Sequence, residues 1–490
     1  MRDYKTKKLL SLFIVIAMLM TMLTSSMFAT TVFAASAEDV YSPWASWDII
    51  MAENVYGLGG EGTYSNFQGN FTDTKFAPVF ESLNKDFGAD SKLNIINKDA
   101  VTRGEIISAL YGIITEVLEL DAAAPASSIS LSPLAALIAS ATSSSSLSST
   151  AIDYFVENGL INGRASGNYQ LDQKCTTEEM IVFSVRVYEY LSYKLELDTK
   201  GLCWKVTGNG AVNTVYLLGS IHISDKSLYP LSKAVLAAYD KSAYLGVEAN
   251  IYTISEEDIK YITELQMLTD GSTIKDYLSA EVYELYETVC EDIGLPAEVY
   301  NYIKPWVAWQ TLLQALMGDD VSGDLGIDRH FLMKSFLEGK DIVEVESIRY
   351  QIDLFNNFSP ELQEAMLAST LMSFISDESG DLTEEESEEM ANAVQAMLLL
   401  MLNMVKEGDE TALAELLTAD RDYSNPIMEE YNTKLWDIRD TAMAETIELY
   451  LMDEDADGDY FIVVGAGHVI GETGMVKVLQ EKGYTVERVK

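Results

Sequence analysis

Short aliphatic runs alternate with longer amphipathic segments along the C-terminal three-fifths of the chain. Residues 215–219 and 244–248 are apolar runs of strand length. Between them, apolar positions recur at helical spacing after Pro230, which suits a first helical turn. A strand, a helix and a strand within about 35 residues predict a parallel βαβ unit with a right-handed crossover.

The same alternation predicts the rest of one sheet further along the chain. Residues 341–346 and 460–465 are aliphatic runs that predict two more strands, and residues 484–489 predict a short final strand. Helical periodicity dominates the middle of this region, over residues 255–450. We therefore expect an α/β domain over residues 199–490, with a mainly parallel sheet, flanking helices and a helical insertion.

Upstream of this domain, two segments share one plan of apolar helix, Gly-rich turn, short polar loop and capped apolar helix. Thr102 in the first copy and Thr176 in the second can satisfy the first amides of a helix, with acidic side chains in the first turn. Residues 126–150 are rich in Ser and Ala and predict a flexible insertion between the copies. We expect a small, mostly helical region over residues 38–198.

This plan resembles S-layer homology repeats, the modules by which many bacterial surface proteins hold cell-wall polysaccharide. The Thr-Arg-Ala-Glu signature of that family appears as Thr102-Arg103-Gly104-Glu105 in the first copy. It appears as Thr176-Thr177-Glu178-Glu179 in the second, without the arginine. The resemblance implies that Thr102, Arg103 and Glu105 bind an anionic wall sugar. Such modules commonly come in threes and two can be traced, so a helical spacer is the alternative interpretation.

The first 37 residues have the three parts of a secretory signal peptide. Four basic residues come first, then an uncharged apolar run over residues 9–23, then small residues ending in an A-x-A-like site. The apolar run is shorter than the ~20 residues that a bilayer span needs, which favours cleavage over retention as an anchor. We expect an exported protein that is secreted, extracellular or associated with the cell wall.

Charge and cysteine content narrow the classes of function. With 33 Lys and Arg against 77 Asp and Glu, the formal net charge is -44, which repels phosphate backbones and anionic lipids. We therefore expect no nucleic-acid partner. Cys175, Cys203 and Cys290 are too few and too scattered for a disulfide framework or a zinc cluster, so we expect them to be buried.

Polar residues stand at the C-terminal ends of four predicted strands, the edge where open α/β sheets bind ligands. The first strand runs into Gly219-Ser220-Ile221-His222 and the fourth into Gly465-Ala466-Gly467-His468, while Glu248 and Glu346 end the second and third. Glycine permits a tight turn and close approach, and imidazole and carboxylate suit a divalent cation. The third histidine, His330, lacks this context and is expected on the surface or in packing.

These residues belong to an ordered series of motifs that resembles the TraB/GumN family, with its TIKI-like members, over residues 201–490. In TIKI-type metalloproteases, paired Gly-x-x-His motifs and a glutamate are regarded as the active site. The family also includes pheromone-shutdown proteins, whose activity is less settled. The matching motifs are residues 202–206, 215–222, 229–230 and 246–248, Gly326-Ile327-Asp328, Glu346 with Gln351, Arg439-Asp440 in place of the family's Arg-Asn, and residues 463–468.

The resemblance implies an EreA/ChaN-like fold and metal-dependent hydrolysis of a peptide or other amide. A divalent cation would be held by His222, His468 and one carboxylate, with Glu248 the better candidate for ligand or general base. Glu346 would be the other catalytic carboxylate or would orient a ligand, and Arg439 would stabilise the oxyanion. The alternative is a non-catalytic protein that uses the same cleft to sequester a secreted peptide.

Overall fold

The computed structural model describes residues 41–60, 63–69, 72–93, 101–120, 149–162, 168–316, 322–374, 384–418, 421 and 423–490. The chain divides between Asp198 and Thr199 into two compact units. The predicted signal segment 1–37 and nearly all of the predicted insertion 126–150 lie outside the described residues. Within the described part, no helix is long and apolar enough to cross a membrane.

The N-terminal unit is helical where it is described. Thr102 and Thr176 each form a capping box, in which the threonine accepts from the amide three residues on and the glutamate there accepts from the threonine amide. This confirms the two predicted helix starts. The helices are α1 (Ser46–Ile50), α2 (Asp73–Phe87), α3 (Arg103–Val117), α4 (Ser149–Glu157) and α5 (Thr177–Lys194).

The residues expected to bind wall sugar are engaged within this unit. Arg103 is only 5% exposed, and its guanidinium binds the Glu179 carboxylate and the Tyr169 carbonyl. The side chains of Thr102 and Glu105 cap α3. The fold already uses hydrogen-bonding groups of these three residues, and their predicted binding of a wall sugar stays a prediction. The glutamate bound by Arg103 caps α5, so this arginine joins the two copies.

The C-terminal unit is centred on one six-stranded sheet. Its strands are β1 (Leu202–Thr207), β2 (Val215–Ser220), β3 (Tyr244–Val247), β4 (Asp341–Glu344), β5 (Tyr460–Gly465) and β6 (Thr485–Arg488). They stand in the order β4-β3-β5-β2-β1-β6. The four strands from β4 to β2 are parallel, whereas β1 is antiparallel to both β2 and β6. The predicted α/β architecture is confirmed for this unit.

Strand β5 lies between β2 and β3, although it comes more than two hundred residues later in the chain. The two strands of the predicted βαβ unit are parallel, as expected, but each pairs with β5 rather than with the other. All six residues of β5 are buried, as a central strand covered on both faces requires. The end of β5, which leads to His468, therefore lies between the ends that carry His222 and Glu248.

Helices surround the sheet and form a separate apolar layer. Serines at 232, 255, 279, 347 and 359 cap five of them, each contributing about 1 kcal/mol by accepting from an amide three residues on. The helices are α6 (Lys233–Lys241), α7 (Glu256–Gln266), α8 (Ala280–Asp292), α9 (Ala297–Tyr300), α10 (Pro305–Leu316), α11 (Ile327–Glu338), α12 (Ile348–Asn356), α13 (Pro360–Leu371), α14 (Glu384–Glu407), α15 (Glu410–Thr418), α16 (Pro426–Asn432), α17 (Ile438–Leu451), α18 (Ala466–Val469) and α19 (Met475–Glu481).

The helical layer has a core that reaches the carboxyl edge of the sheet. This core is built around Trp306, Trp309 and Phe355, and it includes Ile223 and Ala249, the neighbours of His222 and Glu248 in the chain. The predicted helical insertion thus covers the edge where the polar residues gather. All three cysteines of the chain are buried and unpaired, as the sequence predicts.

Candidate functional site

The four strand-end residues lie at one edge of the sheet and are shielded from solvent. His222 follows β2, Glu248 follows β3 and His468 lies in α18 directly after β5. Glu346 follows β4, and its amide donates to the carbonyl of Glu248 at 3.1 Å. His222 is 3% exposed, Glu248 1% and His468 0%. The sheet therefore brings these residues together beneath the helical layer.

Arg439, from α17, binds both glutamates. Its Nε and Nη2 donate to the two oxygens of Glu346 at 2.8 and 2.7 Å, and Nη2 also donates to Glu248 Oε2 at 2.9 Å. Burial lowers the pKa of Arg439, but the Glu346 and Glu248 carboxylates outweigh burial and raise it above the ordinary value. The charged guanidinium offsets the repulsion between two carboxylates held in the same buried site.

Gln351, in the first turn of α12, is a second bridge between the glutamates. Its Nε2 donates to Glu248 Oε2 at 3.0 Å and to Glu346 Oε2 at 3.2 Å. The free oxygen of Glu248, Oε1, accepts from the amide of Gly465 at 2.7 Å and lies 3.7 Å from Nε2 of His222. Glu248 is therefore the group that joins three strands and α17 in one cluster.

Each site histidine has an aspartate beside its Nδ1. His468 Nδ1 is 2.5 Å from Asp440 Oδ1, and His222 Nδ1 is 3.1 Å from Asp328 Oδ1, off the ideal hydrogen-bond direction. The Nε2 atoms of both histidines are buried and have no hydrogen-bond partner in the described part of the chain. A carboxylate at Nδ1 orients an imidazole and favours the tautomer that leaves Nε2 free to bind a ligand.

The two imidazoles differ in their affinity for a proton. Burial lowers the pKa of His222, but Asp328 and Glu248 outweigh burial and raise it above the ordinary value. Burial, with Arg439 and His222 nearby, lowers the pKa of His468 well below its ordinary value. Burial also raises the pKa of Asp440 well above its usual range. Burial therefore disfavours the charged forms of both His468 and Asp440.

The motif glycines permit close contacts between protein segments. A Cβ on Gly219 would lie 3.1 Å from the backbone of Ala466, and a Cβ on Gly467 would lie 2.7 Å from the ring of Trp436. Other segments of the protein therefore occupy the position beside each of these two glycines. Gly465 contributes its amide to Glu248, as described above.

Three site residues had no role assigned from the sequence. Asp328, Gln351 and Asp440 lie within the matching motifs, but the argument from strand ends could not find them because all three come from helices. Asp440 and Arg439 follow a π-helical turn, Thr433–Asp437, that joins α16 to α17. Wider helical turns of this kind are frequent at functional sites and rotate the following residues.

His330 lies in α11, two residues after Asp328. It is 8% exposed, its ring stacks on that of Tyr229 with centroids 5.0 Å apart, and burial lowers its pKa to about 3. His330 is therefore a buried packing residue and not a surface residue.

The site contains donor atoms that suit a cation. In the described part of the chain, these atoms do not form a complete set of ligands around one point. Besides the two Nε2 atoms, Ser220 Oγ, Gln351 Oε1 and Asp440 Oδ2 are buried and have no hydrogen-bond partner among the described residues. Such atoms are rare in folded proteins and indicate a water, ion or ligand. Among the described residues, however, no three His, Cys, Asp or Glu side chains are arranged to hold one metal ion.

A cavity of about 320 Å³ lies beside the edge strand β4. Its lining includes Asn250, two residues after Glu248, and Ser347, directly after Glu346. The lining is mostly polar, with one arginine, Arg349, that is bound to Asp258. This cavity lies along the chain segments that carry the two site glutamates.

Comparison with known proteins supports the family resemblance of the C-terminal region. The model of the TraB/PrgY/gumN family matches residues 202–488. The "Uncharacterized protein YbaP" of Escherichia coli (strain K12) and that of Shigella flexneri are each 21% identical to the chain over 267 residues, which are 54% of this chain and 87% of the relative. No solved structure gives a match. The family match covers more than half of the chain, which therefore belongs to the TraB/PrgY/gumN family.

Proposed function

We propose that the protein is an exported, metal-dependent hydrolase that cleaves a peptide or other amide bond. The observation that carries this proposal is that His222 and His468 have similar surroundings at both ring nitrogens. Each has an aspartate at Nδ1 and a buried Nε2 without a hydrogen-bond partner among the described residues. Leaving a buried polar atom unpaired costs about 1–3 kcal/mol, which a bound ligand offsets.

The donor atoms that we assign to a divalent cation are Nε2 of His222 and Nε2 of His468, and Oε1 of Glu248 lies 3.7 Å from the first of them. Asp328 and Asp440 orient the two rings from the opposite side, as carboxylates do in many histidine metal sites. Because no three ligand side chains surround one point in the described arrangement, these donors must move closer to share an ion. A bound cation would acidify a water and polarise the amide carbonyl.

The contacts of the glutamates suggest different tasks for them. Both oxygens of Glu346 are occupied by Arg439, so we assign Glu346 to holding the arginine in place. Oε1 of Glu248 faces His222 and, among the described residues, accepts only from the Gly465 amide, so we assign to Glu248 the acceptance of a proton from water. Arg439 supplies the positive charge near a developing oxyanion.

Turnover of a peptide library by the full-length mature protein tests this proposal. We expect cleavage that a chelator abolishes and an added divalent cation restores. Cleavage that resists complete metal removal would contradict the role of the cation. Tight peptide binding without any cleavage would instead support the alternative, a protein that sequesters a secreted peptide.

Export is proposed from the pattern of residues 1–37. N-terminal sequencing of protein recovered from the culture medium and from the cell wall tests it, since we expect a mature chain that begins near residue 38. Wall binding by residues 38–198 is a separate proposal, tested by sedimentation of the mature chain with purified sacculi. Arg103→Ala does not test it, because that change removes a buried ion pair of the fold.

A further inference from the structure

Arg421 lies beside His468 but is not part of the glutamate cluster. Its Nη1 donates to the hydroxyl of Thr473 at 2.9 Å, and its guanidinium carbon lies 4.9 Å from the centroid of the Trp436 ring. The Trp436 and His468 ring centroids are also 4.9 Å apart. Two successive contacts of 4.9 Å place the guanidinium within about 10 Å of the His468 imidazole.

Arg439 is paired with two glutamates, whereas Arg421 has no carboxylate within ion-pair distance among the described residues. Its Nε is buried and has no hydrogen-bond partner there. Its other neighbour is the hydroxyl of Tyr423, which donates to Asp437. The adjacent Asp420 and Asp422 lie outside the described residues. The Asp440 carboxyl interacts with this guanidinium electrostatically, and Asp437 is linked to it through the Tyr423 hydroxyl.

We infer that Arg421 binds the free carboxylate of the substrate, so that the protein selects peptides or acyl-amino acids that end shortly after the cleaved bond. A guanidinium forms paired hydrogen bonds with a carboxylate, and stacking on Trp436 keeps it in place. Since an extended residue spans about 3.5 Å, one to three residues bridge the distance from His468 to Arg421.

This inference rests on the proposed hydrolase function and defines its substrate class. Hydrolysis adds one water across the C–N bond, and the acyl carbon gains an oxygen while the nitrogen gains a proton. The released amine fragment is the part that carries the carboxylate bound by Arg421. The expected reaction therefore removes one to three residues from a free C-terminus.

Matched pairs of short peptides, ending in a free carboxylate or in an amide, test the inference. We expect the wild-type protein to have a higher kcat/KM for the free acids. Arg421→Gln should lower kcat/KM for the acids by about 10–100-fold, mainly through KM, because a charge-assisted hydrogen bond contributes about 1.5–3 kcal/mol. It should leave the amides within about 2-fold. Arg421→Lys should keep part of the preference, since it keeps the charge.

Arg186→Gln is the matched control, because it removes the same charge from α5 in the N-terminal unit. We expect it to leave the preference for free acids unchanged. Equal cleavage of acids and amides by the wild-type protein, or an equal loss on both with Arg421→Gln, would overturn the inference and leave the hydrolase function intact.

Calorimetric titration of an N-acetyl amino acid and its amide adds a test that needs no turnover. We expect the wild-type protein to bind the acid more tightly than the amide, and Arg421→Gln to remove this difference. If no peptide is cleaved but the difference is seen, the hydrolase function fails while the carboxylate subsite stands. No difference between acid and amide would overturn the subsite.

Discussion

Each unit of the chain buries an arginine against glutamate, and the surroundings of the two arginines differ. Arg103 binds one glutamate and one backbone carbonyl and lies under an aromatic ring. Arg439 binds two glutamates beside two imidazoles whose Nε2 atoms have no partner among the described residues. A buried ion pair by itself therefore indicates a structural role. Unpaired donor atoms around it are the sign of a ligand site.

The largest expected effect tests whether the unpaired imidazoles bind a metal. His222→Ala or His468→Ala should remove most of the bound metal and all measurable hydrolysis, because each change deletes one donor atom. His330→Ala is the control and should retain the metal, since His330 packs on the ring of Tyr229 and is not one of the assigned donors. Metal analysis of the purified variants measures this. Equal metal content in all three would contradict the assignment.

The next largest expected effect distinguishes the roles of Glu248 and Glu346, the two glutamates that Arg439 binds. Glu248→Gln should lower the rate by about 10²–10⁴-fold with metal retained, if Glu248 accepts the proton. Glu346→Gln should weaken metal binding by about 10–100-fold through a loosened cluster, with activity recovered at high metal concentration. Rates and metal content together decide between these roles. The reverse pattern would exchange them, and unchanged rates in both variants would contradict hydrolysis at this site.

The next prediction concerns how much the buried ion pair of Arg103 contributes to the stability of the fold. Arg103→Met removes the positive charge that compensates the buried Glu179 carboxylate, and should lower the free energy of unfolding by about 3–5 kcal/mol. Adding Glu179→Gln should recover much of this loss, because the amide oxygen can still cap α5 and no buried charge remains. Urea unfolding of the mature protein measures the stability of the single and the double variant. The double variant should hydrolyse substrate at the wild-type rate. A single variant as stable as the wild type would contradict the buried pair.

The smallest expected effect concerns His330, the buried histidine that packs on Tyr229. Burial lowers the pKa of His330 to about 3, so the folded protein resists its protonation. Its contribution to stability is present above the unfolded pKa near 6.5 and is lost as the pH falls towards 3, at up to about 1.4 kcal/mol per pH unit. Between pH 7 and pH 5, urea unfolding of His330→Gln should therefore change less than that of the wild type. Identical changes would show that the pKa of His330 is the same in the folded and the unfolded protein.

Local patterns in the sequence determined the parts of the fold that depend on near neighbours. The aliphatic runs at 215–219 and 460–465 became buried strands, and the threonine and glutamate pairs at 102 and 176 became capping boxes. These features depend on side-chain spacing within about ten residues, which is why periodicity and capping rules find them. The repeated Gly-x-x-His after two strands likewise placed both histidines at the carboxyl edge of one sheet.

Only the tertiary structure decided which distant segments meet. The insertion of β5 between β2 and β3 brought His468 beside Glu248, and helices supplied Asp328 and Asp440 behind the two histidines. It also paired Arg103 with Glu179 of the second copy in the N-terminal unit. Such pairings join residues tens to hundreds of positions apart. Their free energy comes from burial and hydrogen bonding between segments, which no local spacing in the sequence encodes.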